Sequence, residues 1–155
     1  MPQKSGSWIT NQFPAEVQAI AQDGSDVRPL FAGEHMTIAH CQLHAQEVSR
    51  PSYNMGIDEI WVFISGDGLL WRRRHGETTK DQADVVRLGK GVTVTIPREV
   101  DFQFQSGDVA LEFICITTPK WTSEDQNLLL PDGMWQPTAA REVGQVDSHE
   151  GSVDS

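Results

Sequence analysis

Two stretches give the clearest structural signal in this chain, Glu59-Ile-Trp-Val-Phe-Ile-Ser-Gly66 and Gly91-Val-Thr-Val-Thr-Ile-Pro97. Each is a short run of β-branched and aromatic residues that ends at Gly or Pro, which is typical of a strand followed by a turn. Side chains alternate between the two faces of a strand, so Glu59, Trp61 and Phe63 share one face. The pattern therefore predicts a strand that places a carboxyl group beside aromatic rings.

Similar runs fill the chain from residue 31 to residue 118. Gly or Pro separates them at intervals of roughly 8–12 residues, which is typical of an all-β domain with antiparallel neighbours. A sandwich or closed barrel is the solution that leaves few strand edges unpaired. The predicted strands are His35–Leu43, Glu59–Ser65, Gly68–Arg74, Val85–Leu88, Val92–Ile96, Val100–Gln105 and Val109–Thr118.

The length of 155 residues allows one such domain and no second core of useful size. Residues 1–30 form an N-terminal segment, in which apolar residues at helical spacing allow at most one short helix, over Ala15–Gln22. Residues 31–118 form the barrel. We expect residues 119–135 to pack on the barrel or on a partner subunit, and residues 136–155 to form a flexible acidic tail.

The charge of the chain argues against polyanionic partners. Lys and Arg number 12 and Asp and Glu number 22, which gives a net charge of −10. Such a surface repels phosphate backbones and anionic lipid, so we expect neither nucleic acid nor membrane as a partner. The longest apolar run, Ile60–Ile64, is too short to span a bilayer. We expect a cytoplasmic protein in which Cys41 and Cys115 are reduced, buried thiols.

In order and spacing, the two stretches resemble the two motifs of the cupin superfamily. In the first motif a Glu is followed after six residues by Gly, as Glu59 is by Gly66; in the second a Gly is followed after five residues by Pro, as Gly91 is by Pro97. The resemblance implies a cupin-type double-stranded β-helix, a jelly-roll barrel. Three further pieces are similar to a small bacterial cupin subgroup: Asp58-Glu-Ile-Trp61, Leu70-Trp-Arg72 and Phe102-Gln-Phe104.

The sequence departs from the cupin pattern at the metal ligands. Cupin activity usually rests on a metal ion held by three His and one Glu, and the resemblance places the three His positions at Ser52, Asn54 and Phe102. Only Glu59 remains of the usual ligands. A hydroxyl, an amide and a phenyl ring beside one carboxylate do not form a competent site for zinc, iron or manganese, so we expect no metal and no other cofactor there.

A displaced site stays open, because the strand before the first motif carries His40, Gln42 and His44 on one face. If that face points inward, His40 and Gln42 contact a ligand, or His40 or His44 binds a metal ion. The two histidines would lie about 13 Å apart on a regular strand, so they cannot bind the same ion without a bend.

Once Glu59 is taken as inward by resemblance, alternation predicts a mostly aromatic cavity with a few polar groups, which is typical of a small-molecule site. We expect Glu59, Arg72 and Asn54 to be catalytic. The residues expected to bind the ligand are Ser52, Trp61, Phe63, Leu70, Phe102, Phe104, His40 and Gln42.

These residues favour a metal-independent small-molecule enzyme, an isomerase, epimerase, lyase or cyclase. Glu59 would move a proton, and Asn54 and Arg72 would hold the oxygen that gains charge. A buried Glu59–Arg72 ion pair that only completes the barrel is a structural alternative. Two further functions stay open: a non-catalytic cupin that binds a sugar-like or aromatic ligand, and a metal-dependent oxygenase or isomerase with displaced ligands.

We predict a homodimer. The resemblance implies one, and Val62, Ile64 and Trp71, expected to point outward, would otherwise leave apolar surface uncovered. Size-exclusion chromatography with light scattering at micromolar concentration should give twice the chain mass of 17.3 kDa. A single species of the chain mass would contradict the prediction.

Overall fold

The structure is a computed structural model that describes residues 8–80, 84–122, 126–139 and 144–145. These residues form twelve strands and no helix, so none of them belongs to a helix able to cross a membrane. The strands are β1 (Ala19–Ile20), β2 (Asp26–Ala32), β3 (Thr37–Leu43), β4 (Ser52–Asn54), β5 (Asp58–Ser65), β6 (Asp67–Arg74), β7 (Val85–Gly89), β8 (Thr93–Ile96), β9 (Val100–Ser106), β10 (Leu111–Thr118), β11 (Asn127–Leu129) and β12 (Gly144–Gln145).

The strands form two antiparallel sheets around one core. The larger sheet has the order β12-β1-β2-β3-β10-β5-β8, and the smaller sheet has the order β11-β4-β9-β6-β7. Both sheets contribute buried side chains to a single apolar cluster. The all-β prediction is therefore confirmed. Fully buried members from the two sheets include Leu43, Phe63, Leu111 and Phe113 on one side and Leu70 and Phe104 on the other.

The seven predicted strands correspond to β3 and β5–β10, with boundaries within two residues. The sequence did not indicate β2 or β4. Strand β2 contains Pro29, and the ladder between β2 and β3 shifts register between Pro29 and Phe31, where a proline can be accommodated. Because β2 starts at Asp26, the barrel begins before residue 31.

The helix expected over Ala15–Gln22 is not formed. The backbone of this segment instead builds β1, in which Ala19 pairs with Val27 of β2 and with Gln145 of β12. A helix of eight residues has little stability of its own in water, so pairing with a neighbouring strand wins. The N-terminal segment therefore becomes part of the larger sheet.

The predicted flexible tail does not begin at Gln136. Thr138 and Ala139 both donate their backbone N–H groups to the carbonyl oxygen of Val48, at 2.9 Å, and Ala139 is buried in the core cluster. Further along the predicted tail, the backbone of Gly144–Gln145 forms β12. The rest of the predicted tail, residues 140–143 and 146–155, lies outside the described residues.

The predicted alternation along β5 is confirmed. Glu59, Trp61 and Phe63 are buried, whereas Ile60 and Ile64 on the opposite face are exposed by 39% and 36%. On β9, the face that points into the barrel carries Phe102 and Phe104, which are also buried. Alternation therefore places the carboxyl group of Glu59 inside the barrel.

The outer face of β9 and β6 is also covered, which the sequence did not predict. Gln103 is fully buried under the segment that contains Trp135. Its side-chain amide donates to the carbonyl oxygen of Trp135 at 2.8 Å and accepts from the Trp135 N–H at 2.9 Å. Trp71, expected to point outward into solvent, is also fully buried on this face. The segment after β11 thus forms a layer over the smaller sheet, and Trp71 supplies no exposed apolar surface.

We predict that Gly66→Ala destabilises the protein much more than Gly91→Ala. Both glycines have positive φ, +85° and +90°. A methyl group at position 66 would also meet the Ala110 carbonyl oxygen and come within 2.9 Å of the Leu111 Cα, whereas at position 91 it meets nothing within 4 Å. The expected losses of unfolding free energy are about 3 kcal/mol or more and about 1 kcal/mol. Urea denaturation at constant m-value measures both; equal losses would contradict the prediction.

Candidate active site

A cavity of about 240 Å³ opens between the two sheets. Its walls come from the larger sheet, from Phe102 of β9, from the turn between β1 and β2, and from Trp121 and Asn127. Aromatic and aliphatic side chains form most of the wall, as in sites for small organic molecules. The lining residues used below are Asp23, Thr37, Cys41, Glu59, Trp61, Phe102, Phe113, Cys115, Thr117, Trp121 and Asn127.

Glu59 is the carboxyl group that the sequence predicts in this cavity. It is 8% exposed and is held by three donors. Trp61 Nε1 donates to Oε1 at 2.6 Å, Cys115 Sγ donates to the same oxygen at 3.4 Å, and Asn54 Nδ2 donates to Oε2 at 3.1 Å. These hydrogen bonds therefore fix the orientation of both carboxyl oxygens of Glu59.

The protonation of Glu59 is set mainly by its burial. Removal from water raises the pKa of this carboxyl above its ordinary value of 4.5, and the nearby charge of Asp23 raises it further. Hydrogen bonds from Trp61, Cys115 and Asn54 favour the ionised form and oppose this rise. Because burial is the largest effect, the proton is held to a higher pH than on an exposed Glu, as is useful for a general acid or base.

Asp23 is a second acidic residue of the cavity, which no pattern in the sequence indicates. It lies in the turn between β1 and β2, where Oδ1 accepts from Ser25 N at 2.9 Å and from Ser25 Oγ at 2.7 Å. Burial raises its pKa, against the hydrogen bonds from Ser25 and the charge of Arg50. The Asp23-Gly24 pair signals a turn, but nothing local indicates that the carboxyl group points into the barrel.

Asn54 stands behind Glu59 and is oriented by a second amide. Asn127 Nδ2 donates to Asn54 Oδ1 at 2.8 Å, which leaves Asn54 Nδ2 to donate to Glu59. Ser52 Oγ is 3.4 Å from the same nitrogen of Asn127. The structure therefore brings Asn54 to Glu59, but Asn54 and Ser52 are both fully buried and neither lines the cavity. The expected contact of Asn54 with a substrate oxygen, and that of Ser52 with a ligand, do not agree with these positions.

The expected aromatic wall is formed in part by other rings. Trp61 and Phe102 line the cavity, and Trp61 stacks on Phe113 with ring centres 4.4 Å apart. Phe113 and Trp121 also line it and were not predicted. Three of the expected ligand contacts, Phe63, Leu70 and Phe104, lie deeper in the core and do not line the cavity.

Arg72 does not reach Glu59. By alternation it shares the inward face of β6 with Leu70, but its Nη1 donates to the backbone carbonyl oxygen of Thr95 on β8, at 2.8 Å. Strand β8 is the edge strand of the larger sheet, so this bond joins the two sheets at their margin. This position does not agree with the expected role of Arg72 in holding substrate charge. It does not agree with the alternative of a Glu59–Arg72 ion pair either.

His40, Gln42 and His44 face away from the cavity. Their strand neighbours Ala39 and Cys41 line it, so alternation turns these three side chains to the outer face of β3. His40 Nε2 lies 2.9 Å from Glu112 Oε1, and His44 Nε2 lies 2.7 Å from Asp26 Oδ2. The inward orientation expected for His40 and Gln42 is therefore wrong.

The residues at the three cupin ligand positions do not fit a transition metal. Both polar atoms of the Asn54 amide are hydrogen-bonded, Ser52 offers a neutral hydroxyl, and Phe102 has no donor atom. Within residues 8–80, 84–122 and 126–139, no three His, Cys, Asp or Glu side chains are grouped as metal ligands. The hydrogen bond with Cys41 and burial raise the pKa of Cys115, which favours its thiol form.

The charged residues among the described lining of the cavity are all acidic. Asp23 and Glu59 line it, and the lining residues within the described part of the chain include no Lys, Arg or His. A bound anion would therefore approach two acidic groups with no cation on the wall to compensate it. The geometry disfavours an anionic ligand and favours one whose polar atoms meet the acids and whose ring meets the aromatic wall.

Comparison with solved structures identifies the fold. Pac13 from Streptomyces, described as a nucleoside dehydratase, superposes with a TM-score of 0.59 at 12% identity over 79% of this chain and 92% of its own; a variant at 13% identity contains uridine. KdgF from Halomonas sp. gives 0.57 at 13% identity, covering 73% and 96%. The cupin domain of Cnp3 from Schizosaccharomyces pombe gives 0.54 at 14%, covering 68% and 70%.

No family model and no curated protein matches the sequence. The structural likeness shows the fold alone: this chain has the cupin-type double-stranded β-helix that the two sequence motifs predict.

We predict that Glu59→Gln becomes more stable relative to the wild type as pH rises. A carboxyl group whose pKa is raised by folding contributes stability below its ordinary pKa of 4.5 and loses it as pH rises through the folded pKa. Glutamine stays neutral, so the difference in unfolding free energy should move in favour of the variant by up to about 1.4 kcal/mol per pH unit in this window. Urea denaturation between pH 4 and 8 measures it.

Asp58→Asn is the matched control of opposite sign. Asp58 is half-exposed, and its hydrogen bonds with Arg98 lower its pKa. Its stabilisation is present above the unfolded pKa and lost as pH falls through the folded pKa, so this variant should lose under about 1 kcal/mol near pH 7 and nothing at low pH. A Glu59→Gln difference that does not change with pH would show that the Glu59 pKa is not raised.

Proposed function

We propose that this chain is a metal-independent small-molecule enzyme that uses acid–base chemistry in the cavity of its cupin barrel. The single observation that supports the proposal most is Glu59, a buried carboxyl group on the cavity wall that is held by Trp61 and Asn54 and whose pKa is raised by burial. Isomerases, epimerases, lyases and cyclases all need a group of this kind to move a proton.

The second carboxyl group completes the chemistry. Removing a proton from carbon with one carboxylate is easier when another acid protonates the group that gains charge. Glu59 and Asp23 line the same cavity and interact electrostatically, so ionisation of one makes ionisation of the other less favourable. One group can therefore accept a proton while the other, still protonated, donates one.

Dehydration, a lyase reaction, fits this pair. Glu59 as the carboxylate would take a proton from carbon, the carbon–carbon double bond would form, and the hydroxyl group on the next carbon would leave as water with the proton of Asp23. The solved structure of Pac13, described as a nucleoside dehydratase, supports this reaction type within a cupin fold. The substrate would carry no negative charge, because the described residues of the cavity wall include no cation.

A non-catalytic binding protein is the second candidate. Both oxygens of Glu59 already accept hydrogen bonds from Trp61, Cys115 and Asn54. A carboxyl group so fixed is suited to holding a sugar-like or aromatic ligand without turning it over.

For either function we propose a cytoplasmic protein that forms a homodimer. The homodimer is supported by the apolar outer face of β5, where Ile60 and Ile64 are exposed.

We predict that Glu59→Gln abolishes turnover without abolishing binding. Wild type and variant would be incubated with a small-molecule cell extract and compared by untargeted mass spectrometry. Compounds consumed by the wild type should be consumed roughly 100- to 10,000-fold more slowly by the variant, because glutamine cannot accept the proton. The same compounds should still bind the variant, as measured by calorimetry.

Asp58→Asn, adjacent to Glu59 but on the half-exposed face, is the control and should turn over at the wild-type rate. If the wild type consumes no compound but retains one tightly, the binding function is supported instead. Turnover that is equal in wild type and Glu59→Gln would reject Glu59 as the catalytic group.

A further inference from the structure

Thr117 lines the cavity, and its hydroxyl group bonds to no other residue that the structure describes. The residue lies on the inward face of β10, lines the cavity and is 5% exposed. Its Oγ1 is buried and has no hydrogen-bond partner among the described residues. Buried hydroxyl groups are nearly always hydrogen-bonded in folded proteins, because leaving one unpaired costs free energy. A hydrogen bond from a ligand in the cavity would therefore remove a cost that this hydroxyl carries in the empty protein.

Strand register places Thr117 directly beside the proposed proton-transfer group. It is the cross-strand partner of Glu59 on β5 and of Thr37 on β3, so the three side chains form one row along the wall. Directly opposite residues on a sheet have Cβ atoms about 5 Å apart. A ligand atom bound to Thr117 is thus held next to the carboxyl group of Glu59.

Thr37 shows what a structural threonine looks like in the same row. Its Oγ1 accepts a hydrogen bond from the Trp121 backbone N–H at 2.9 Å, which fixes the residues that follow β10. Thr37 and Thr117 have the same side chain and line the same cavity, but only Thr37 has a partner within the described chain. The two residues form a natural comparison.

The rest of the wall limits what can bind to Thr117. The rings of Trp61, Phe102, Phe113 and Trp121 surround the cavity, and no described lining residue is cationic. An apolar cavity of about 150 Å³ accepts benzene. The volume of 240 Å³ therefore has room for a ring that carries a polar substituent.

We propose that Thr117 is a specificity-determining residue that binds a hydroxyl or carbonyl oxygen of an uncharged ring compound beside Glu59. A threonine hydroxyl can donate to a carbonyl oxygen or accept from a hydroxyl group. It therefore favours ring compounds with an oxygen substituent beside Thr117 over those without one. The assignment rests on the proposed function only in that Glu59 then acts on the atoms next to this oxygen.

The test uses three ring compounds of similar shape and two matched variants. Benzyl alcohol carries the oxygen, toluene lacks it, and benzoate replaces it with a charge. Their dissociation constants for wild type, Thr117→Val and Thr37→Val would be measured at pH 7 by calorimetry or by NMR titration. Valine keeps the shape of threonine and removes the hydroxyl group, and thermal unfolding of each protein without ligand reports its structural cost.

The expected result is a coupling between one protein hydroxyl and one ligand hydroxyl. The ratio of the toluene to the benzyl alcohol dissociation constant should fall about tenfold from wild type to Thr117→Val and stay unchanged in Thr37→Val. Without ligand, the melting temperature should stay equal or rise by about 2 °C in Thr117→Val and fall in Thr37→Val, which leaves the Trp121 N–H unpaired.

Three outcomes would overturn the proposal: no binding of benzyl alcohol at millimolar concentration, a ratio that does not change in Thr117→Val, or benzoate binding as tightly as benzyl alcohol. A fall in melting temperature of Thr117→Val as large as that of Thr37→Val would also overturn it, because the hydroxyl would then have a structural partner. The experiment needs no turnover, so its failure is distinct from failure of the proton-transfer role of Glu59.

Discussion

A carboxyl group inside an apolar barrel must receive its hydrogen bonds from the protein, and this requirement organises the structure around Glu59. The donors come from three elements: Trp61 on the same strand, Cys115 on β10, and Asn54 on β4 of the other sheet. Asn54 is oriented in turn by Asn127 of β11. The chain of polar contacts that keeps one buried acid in place thus also ties the two sheets together across the cavity.

The sequence predicts the part of the fold that local signals specify. Alternation of side chains along a strand is enough to put Glu59 and Trp61 on one face, and the resemblance to the cupin motifs implies that this face points inward. Gly66 and Pro97 mark turns because their backbone requirements are local. The segment Ala15–Gln22 gave the wrong prediction, since a weak helical pattern cannot compete with strand pairing to β2. Arg72 is a milder case: its inward face was predicted, but the position of its guanidinium group depends on which strand lies opposite.

The site itself was less predictable, because its remaining members are brought in by distant pairing. Asp23 lies in a turn, Asn127 lies on a strand of three residues, and Trp121 follows the last long strand; none of them belongs to a periodic pattern. Thr117 lies on a well-predicted strand, yet what distinguishes it from Thr37 is a backbone N–H supplied by Trp121. Such differences arise only when the whole barrel is assembled.

The hydrogen bond from Trp61 to Glu59 gives the cavity an optical property. The indole N–H is polarised by the oxygen that accepts it, so gain or loss of charge on this oxygen changes the electric field along the ring. The absorption and emission of the indole therefore depend on the ionisation state of the carboxyl group. One of the rings that shape the cavity thus acts as a built-in chromophore for the acid beside it.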